Sequence, residues 1–297
     1  MKFIEKASGW LIVTGLAIAV LLAFNYLDVF IMVGFRSAGM DTKIYRGAYS
    51  ITAALVNIIL FGLVFIVCKK INRPVLDVKK MSLADVSLVV IIALGMLGFV
   101  ISFMYAADMI GEYINSFSEQ MTEYRESVNR YAGVEEDVVP FWDSCVYLFS
   151  LCLVVPFEEE LIFRGAVFGI LKQRMKPWVA ALISAVLFGV MHAVSVHTAY
   201  ALICGMILCG VYYYTGNIFA STIMHALFNF FGSGLPDLLK LKEFGIPAEV
   251  RTEIVSWCNV VCIMLILPAG LAFLYMRHKT MKSKKLKAES VTEVEQA

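Results

Sequence analysis

The chain has 297 residues, of which 60% are hydrophobic and 16% are charged, and its formal net charge is +1. Its mean hydropathy of +0.78 excludes an ordinary soluble enzyme domain and is typical of a polytopic membrane protein. A nearly neutral chain of this kind gives no indication of nucleic-acid binding. We therefore predict an all-α fold that forms a single integral membrane domain over residues 1–297.

Eight apolar segments are long enough to cross a bilayer, or nearly so. The first is too long for a cleaved signal peptide and is therefore predicted to be a retained span. The segments lie at about Trp10–Val33, Ser50–Val67, Val86–Ala106, Phe141–Val155 (continuing to Leu171), Trp178–Met191, Thr198–Tyr214, Asn217–Phe231 and Ile254–Met276. They predict a bundle of about eight transmembrane helices.

The distribution of basic residues predicts an orientation for this bundle. With eight crossings and an internal N-terminus, most of the 25 Lys and Arg residues fall on the cytoplasmic side, as the positive-inside rule requires. Both termini are then cytoplasmic, and the acidic segment Asp108–Asp137 lies outside. Residues 279–297, basic and then acidic, are predicted to form a disordered cytoplasmic tail.

The fourth span continues through Pro156–Gly165, which contains three consecutive glutamates and an arginine. A charge near the bilayer centre costs roughly 2.5–3.5 kcal/mol on insertion scales, so this cluster indicates a function. Glu160 and Arg164 are four residues apart and can pair, whereas Glu159 is rotated by about 100° and is free to act as a base. Glu158 faces away from both, either toward a polar gap or in its protonated form.

Two of the four histidines lie in or at the end of an apolar span, where an imidazole needs a polar partner. His192 follows Phe188 by one turn, and His225 precedes Asn229 by one turn. Taken alone, an intramembrane histidine is more often a hydrogen-bonded packing residue than a catalyst, and an asparagine on a span can simply hold two helices together. His197 lies in a turn after the fifth span, where solvent exposure is the default expectation.

The heights of these residues in the bilayer indicate one shared site. At 1.5 Å per residue, Glu159, His192 and His225 lie roughly 20, 22 and 14 Å above the cytoplasmic ends of their spans. All three are therefore near the middle of the membrane. A single site in a mid-membrane cavity explains three polar clusters more economically than three separate accidents.

Three short motifs occur in order on these spans: Glu159-Glu160-x-x-x-Arg164, Phe188-x-x-x-His192 and His225-x-x-x-Asn229. Together they resemble the motifs of the CAAX prenyl endopeptidase and bacteriocin-processing (CPBP, or Abi) family of intramembrane proteases. The resemblance covers residues 141–231 as a CPBP-like catalytic core.

The family resemblance implies a role for each motif residue. Glu159 would activate the hydrolytic water with help from His192. His225 and Asn229 would form the oxyanion hole, in a cavity open to the cytoplasmic side. Amide hydrolysis needs such a base and such donors. The remaining motif residues would support the site: Glu160, Arg164 and Phe188.

A metal-dependent alternative stays open, because Glu159, His192 and His225 would make a workable zinc site with one open position. We favour a reaction without a cofactor for two reasons. Asn229 is a good oxyanion donor and a poor zinc ligand. In addition, the sequence indicates no carboxylate that could serve as the second partner of either histidine.

The leading hypothesis is an integral cell-membrane endopeptidase that cuts peptides or the tails of membrane-anchored proteins. Its partners would be that substrate and the lipid bilayer. The alternative is a non-proteolytic scaffold or bacteriocin-immunity protein that uses the same fold for binding. The sequence specifies neither the substrate nor the oligomeric state.

Overall fold

The computed structural model describes residues 2–70, 75–114, 118–122, 139–192 and 196–296, with side chains at 10–286 of these ranges and at 289–290. Within these ranges every regular element is a helix, apart from one isolated antiparallel bridge between Val78 and Asn217. The prediction of an all-α polytopic membrane protein is confirmed. Most of the predicted outer segment Asp108–Asp137 lies outside the described residues.

The helices are numbered in chain order. They are α1 (Lys2–Ser37), α2 (Arg46–Lys70), α3 (Leu83–Gly111), α4 (from Phe141 to Leu171), α5 (Pro177–Met191), α6 (Val196–Thr215), α7 (from Ile218 to Lys240), α8 (Ala248–Met264) and α9 (Ile266–Gln296).

Two of these helices change their winding next to the charged and polar motifs. In α4, π-helical Ser150–Val154 and Leu161–Phe168 flank the α-helical turn Val155–Glu160. In α7, π-helical Phe230–Gly234 follows Asn229 directly. Such π-helical segments are rare in proteins overall. Where they occur, they are often at functional sites, because they re-aim side chains without breaking the helix.

Five helices in the described part of the chain are long and apolar enough to cross a membrane, namely α1, α2, α3, α6 and α7. The pair α8 and α9, bent by 46° at its break, would make a sixth crossing. The other two predicted spans, α4 and α5, are not among these candidates. α5 has only 15 residues, or about 22 Å against a hydrocarbon core of about 30 Å.

The bundle has two apolar cores, and both include residues of α6 and α7. One core surrounds Phe163 and Phe188 and joins α1, α2, α4, α5, α6 and the first residue of α7, Ile218. The other surrounds Leu208 and Met224 and joins α3, α6, α7 and α9. Close packing of α3 depends on glycine, since a Cβ atom at Gly98 would overlap the Cys262 carbonyl group of α8.

The chain between α2 and α3 fixes the start of α7. The amide of Lys79 donates to the carbonyl of Gly216 at 2.9 Å, and the amide of Ile218 donates to the carbonyl of Asp77 at 3.1 Å. The side chain of Asn217 caps α7 by accepting from the amide of Phe219 at 2.8 Å. The helix that carries His225 is therefore anchored at its first turn.

The prediction of a disordered tail over residues 279–297 is wrong for its backbone, because α9 continues as a helix to Gln296. Helix formation is limited by nucleation, and here the apolar half of α9 provides the nucleus. The tail is also rich in Lys, Glu and Ala, which favour helix. The predicted cytoplasmic placement of both termini stays a prediction.

Candidate active site

Glu160 and Arg164 form the ion pair expected from their spacing. Arg164 Nη1 lies 3.1 Å from Glu160 Oε1, and both side chains are fully buried. None of the guanidinium nitrogens has a hydrogen-bond partner among the described residues, so the contact is held by charge rather than by aligned hydrogen bonds. The pair forms although the π-helical winding begins at Leu161, between its two residues.

Phe188 of α5 covers the cation of this pair. The guanidinium carbon of Arg164 lies 4.4 Å from the centroid of the Phe188 ring, within the range of a cation–π contact. Phe163 packs edge-on against the same ring at 5.0 Å. Phe188 thus connects α5 to the buried charge on α4.

His225 lies between the two carboxylates of the motif, which the sequence analysis did not anticipate. Its Nδ1 is 3.0 Å from Glu160 Oε1, and its Nε2 is 3.7 Å from Glu159 Oε2. Because Glu160 is ionised beside Arg164, it can only accept, so Nδ1 of His225 carries the hydrogen. Nε2 then carries a hydrogen only in the imidazolium form.

This contact corrects the earlier argument that neither histidine has a carboxylate partner, because Glu160 is that partner for His225. The contact joins α4 to α7 across 65 residues of chain. Spacing within one helix cannot reveal it, since helical periodicity relates only residues of the same helix.

His192 faces the other side of Glu159 at the end of α5. Its Nε2 is 3.9 Å from Glu159 Oε2, and its Nδ1 is 2.8 Å from the carbonyl oxygen of Phe188. Since a carbonyl only accepts, Nδ1 donates, and Nε2 of neutral His192 presents a lone pair toward Glu159.

Glu159 is therefore the carboxylate on which both histidines converge. Its side chain is 18% exposed, whereas Glu160 is fully buried and already engaged. The structure brings together Glu159, His192 and His225, as their predicted heights require. Separations of 3.7 and 3.9 Å leave room for adjustment or for a bridging water.

Asn229 lies one turn beyond His225 on α7, but its amide has a partner on α4. Nδ2 donates to the carbonyl oxygen of Leu151 at 3.0 Å. That acceptor lies in π-helical Ser150–Val154. A carboxamide nitrogen carries two hydrogens, so the second remains for another acceptor.

Glu158 points away from the other two glutamates, as expected, and toward α2. Asn57 Nδ2 lies 2.6 Å from Glu158 Oε1, and both residues are buried. Asn57 is outside the motif region, so no spacing rule on α4 points to it.

The three residues of the zinc alternative lie close together, so their separations can be compared with those of ligands around a zinc ion. Ligands of tetrahedral zinc at about 2.0–2.2 Å are roughly 3.4 Å apart. The two histidine nitrogens are 3.7 and 3.9 Å from the same Glu159 oxygen. Within the described ranges, no group of three His, Cys, Asp or Glu residues has a metal-holding arrangement.

Residues 141–231 match a family model described as "Type II CAAX prenyl endopeptidase Rce1-like". The match confirms the family resemblance that the three motifs predict, over the same residues. The class of protein that it supports is a CAAX-protease-like membrane peptidase.

Two curated proteins are similar over part of the chain. The "UPF0177 protein YxdF" of Lactococcus lactis subsp. lactis (strain IL1403) is 37% identical over 92 residues, which are 31% of this chain and 50% of that protein. The "Putative membrane peptidase YdiL" of Bacillus subtilis (strain 168) is 33% identical over 107 residues, which are 36% of this chain and 42% of that protein. The chain therefore spans half or less of the length of these relatives. No solved structure matches it.

We predict that Arg164→Ala destabilises the fold. Removing one partner of a buried ion pair typically costs roughly 3–5 kcal/mol, because the other charge is left uncompensated. The melting temperature and yield in detergent should both fall. The control is Lys240→Ala, which breaks an exposed pair with Asp237 that is worth about 0–1 kcal/mol. If Arg164→Ala melts like the wild type and loses only activity, Arg164 belongs to substrate binding instead.

Proposed function

We propose that this protein is an integral membrane endopeptidase in which Glu159 activates water to hydrolyse a peptide bond. The observation that carries the proposal is the convergence of two histidine nitrogens on one partly exposed carboxylate, at 3.7 and 3.9 Å. The adjacent carboxylate of Glu160 is buried and occupied by Arg164 and His225. The match to the Rce1-like family model supports the same class of reaction.

In the first step, a water molecule beside Glu159 transfers a proton to its carboxylate and attacks the peptide carbonyl carbon. Neutral His192 helps by accepting a hydrogen bond from that water at Nε2. A carbon–oxygen bond forms, and the electron pair of the carbonyl moves to its oxygen. General-base catalysis requires that the base reach its target directly or through one water, and in this step Glu159 acts on the peptide carbonyl carbon through one water.

In the second step, the tetrahedral intermediate collapses, the carbon–nitrogen bond breaks, and Glu159 returns the proton to the leaving amine. His225 and Asn229 stabilise the negative oxygen before this collapse. His225 donates from Nε2 as an imidazolium whose charge is balanced by Glu160. Asn229 donates the hydrogen that the Leu151 carbonyl does not use.

The proposed reaction needs no metal or other cofactor. We expect the substrate to be a peptide or the tail of a membrane-anchored protein, reached from the cytoplasmic side of the cell membrane, with both termini cytoplasmic. A glutamate inside an apolar bundle is costly, and a water-activating role accounts for the presence of Glu159.

Glu159→Gln is expected to lower turnover by roughly 10²–10⁴-fold, the contribution of general-base catalysis, because the amide keeps the shape but cannot take a proton. Cleavage can be measured by comparing membrane peptides from cells that express the wild type or the variant. The wild type and Glu159→Gln should have the same melting temperature.

Glu158→Gln is the matched control, since it makes the same change one residue away and keeps the contact with Asn57. It should cleave the same peptides as the wild type. Equal cleavage by the wild type and Glu159→Gln would contradict the role of Glu159 as the base. The same peptides in cells with the wild type, with the variant and without the protein would favour a non-proteolytic scaffold or immunity protein, because a binding surface tolerates that substitution.

Asn229→Ala should reduce turnover by about 10²–10³-fold, the usual effect of removing one oxyanion donor. The variant also leaves the Leu151 carbonyl without its partner, so a modest loss of stability should accompany the loss of activity. Turnover must therefore be compared at a temperature well below both melting transitions. Full activity of the folded variant would rule out the oxyanion role.

Metal analysis of purified, active protein tests the cofactor-free reaction. We expect substoichiometric zinc and no loss of turnover during titration with a strong chelator, because the proposed water is activated by Glu159 and His192. A zinc enzyme would contain one metal ion per chain, lose activity to the chelator and regain it with added zinc. That second set of results would replace Glu159 as base with Glu159, His192 and His225 as ligands.

A further inference from the structure

His197 is not the exposed turn residue that its position in the sequence suggests. It lies in the first turn of α6, is only partly exposed, and packs its ring against that of His192 with centroids 5.1 Å apart. Its ring also stacks on buried Tyr200, with centroids 4.7 Å apart and planes 17° from parallel. His197 therefore connects His192 to the buried side chain of Tyr200 on α6.

His192 needs such a contact because of where it lies in α5. It follows the last helical residue, Met191, with backbone angles of φ −91° and ψ 22°, and its amide bonds to the Gly189 carbonyl. A residue at a helix end lacks the continuing hydrogen-bond ladder that fixes a residue such as His225 in mid-helix. Its side chain is also 23% exposed, against 7% for His225.

Two rings contact the imidazole of His192, and together they are called the aromatic bracket. Phe188 contacts it from α5, with centroids 4.4 Å apart and planes tilted by 52°. His197 lies against it from α6, with planes tilted by 55°. Aromatic contacts in this distance range favour particular ring orientations, so the bracket restricts rotation of the His192 ring.

Close packing of α5 against α6 makes this bracket possible. A Cβ atom at Gly189 would lie 3.1 Å from the carbonyl oxygen of Thr198, and one at Gly205 would lie 3.1 Å from Ala185. The two glycines let the helix backbones approach closely. The ring of His197 can therefore reach His192 directly.

We infer that His197 is a positioning residue, which holds the His192 ring so that Nε2 faces Glu159. It acts through His192 and does not contact the reacting atoms. Its activity test depends on the proposed hydrolysis, whereas its spectroscopic test does not. The role depends on the aromatic ring rather than on proton exchange, so a phenyl ring can replace the imidazole.

The kinetic test compares His197→Ala with His197→Phe. A misplacement of about 1 Å can cost about 10²-fold in rate, so His197→Ala should lower kcat by about 10–10²-fold with little change in KM. His197→Phe should recover most of this loss. The matched control is His278→Ala, which removes an exposed imidazole in α9 and should behave like the wild type.

Two kinetic results would overturn the inference. Unchanged kcat in folded His197→Ala would show that Phe188 alone positions His192. Equal losses in His197→Ala and His197→Phe would show that the imidazole itself is required. Melting curves of all variants identify any loss that comes from unfolding.

The second test uses NMR of isotope-labelled imidazole nitrogens in the substrate-free protein, with His192→Gln to assign the His192 signals. The wild type, His197→Phe and His278→Ala should show one His192 state with a hydrogen on Nδ1. His197→Ala should show additional states or line broadening. An unchanged His192 signal in His197→Ala would overturn the inference, whereas altered signals in a protein without protease activity would uphold it and reject only the proposed function.

Discussion

One oxygen atom, Oε1 of Glu160, makes the contacts on which the arrangement of the three motifs depends. It lies 3.1 Å from Arg164 and 3.0 Å from His225, in a place where the side chains of Glu160 and Arg164 are both fully buried. Charges interact more strongly when water is excluded, and an unpaired charge there is correspondingly costly. With Phe188 lying over the guanidinium, this single carboxylate connects α4, α5 and α7. The relative placement of all three motifs depends on it.

The engagement of Glu160 gives two neighbouring glutamates different properties. Glu160 is buried and its charge is balanced, so it can only orient His225. Glu159, one residue away, projects about 100° around the helix and faces the outer nitrogens of two histidines. Enzymes commonly separate the roles of paired carboxylates by environment in this way. The same sequence doublet thus supplies one carboxylate that is buried and paired with Arg164 and one that is partly exposed, which is the one that the proposed reaction uses.

The sequence was informative wherever the relation is local. Hydropathy predicted the helical fold, and four-residue spacing predicted the Glu160–Arg164 pair. Contacts between helices were not predictable: Glu160 with His225, Asn229 with the Leu151 carbonyl, and Asn57 with Glu158 each join segments more than 60 residues apart. The π-helical segments were also not predictable, because sequence spacing was interpreted with the 3.6-residue period of an α-helix. The disordered tail was predicted from charge alone, which neglected the helix already running into it.

The two histidines are held by different means, and the difference suits different tasks. His225 lies in the interior of α7 and is anchored at Nδ1 by the carboxylate of Glu160 at 3.0 Å, which fixes the direction in which its Nε2 points. His192 lies at a helix end and is anchored at Nδ1 by a neutral carbonyl, which leaves Nε2 as an acceptor for water. A neutral anchor and an open helix end hold a ring less firmly than a buried ion pair does. The aromatic bracket of Phe188 and His197 compensates for that weaker attachment, and it does so without adding a charge that would compete with Glu159.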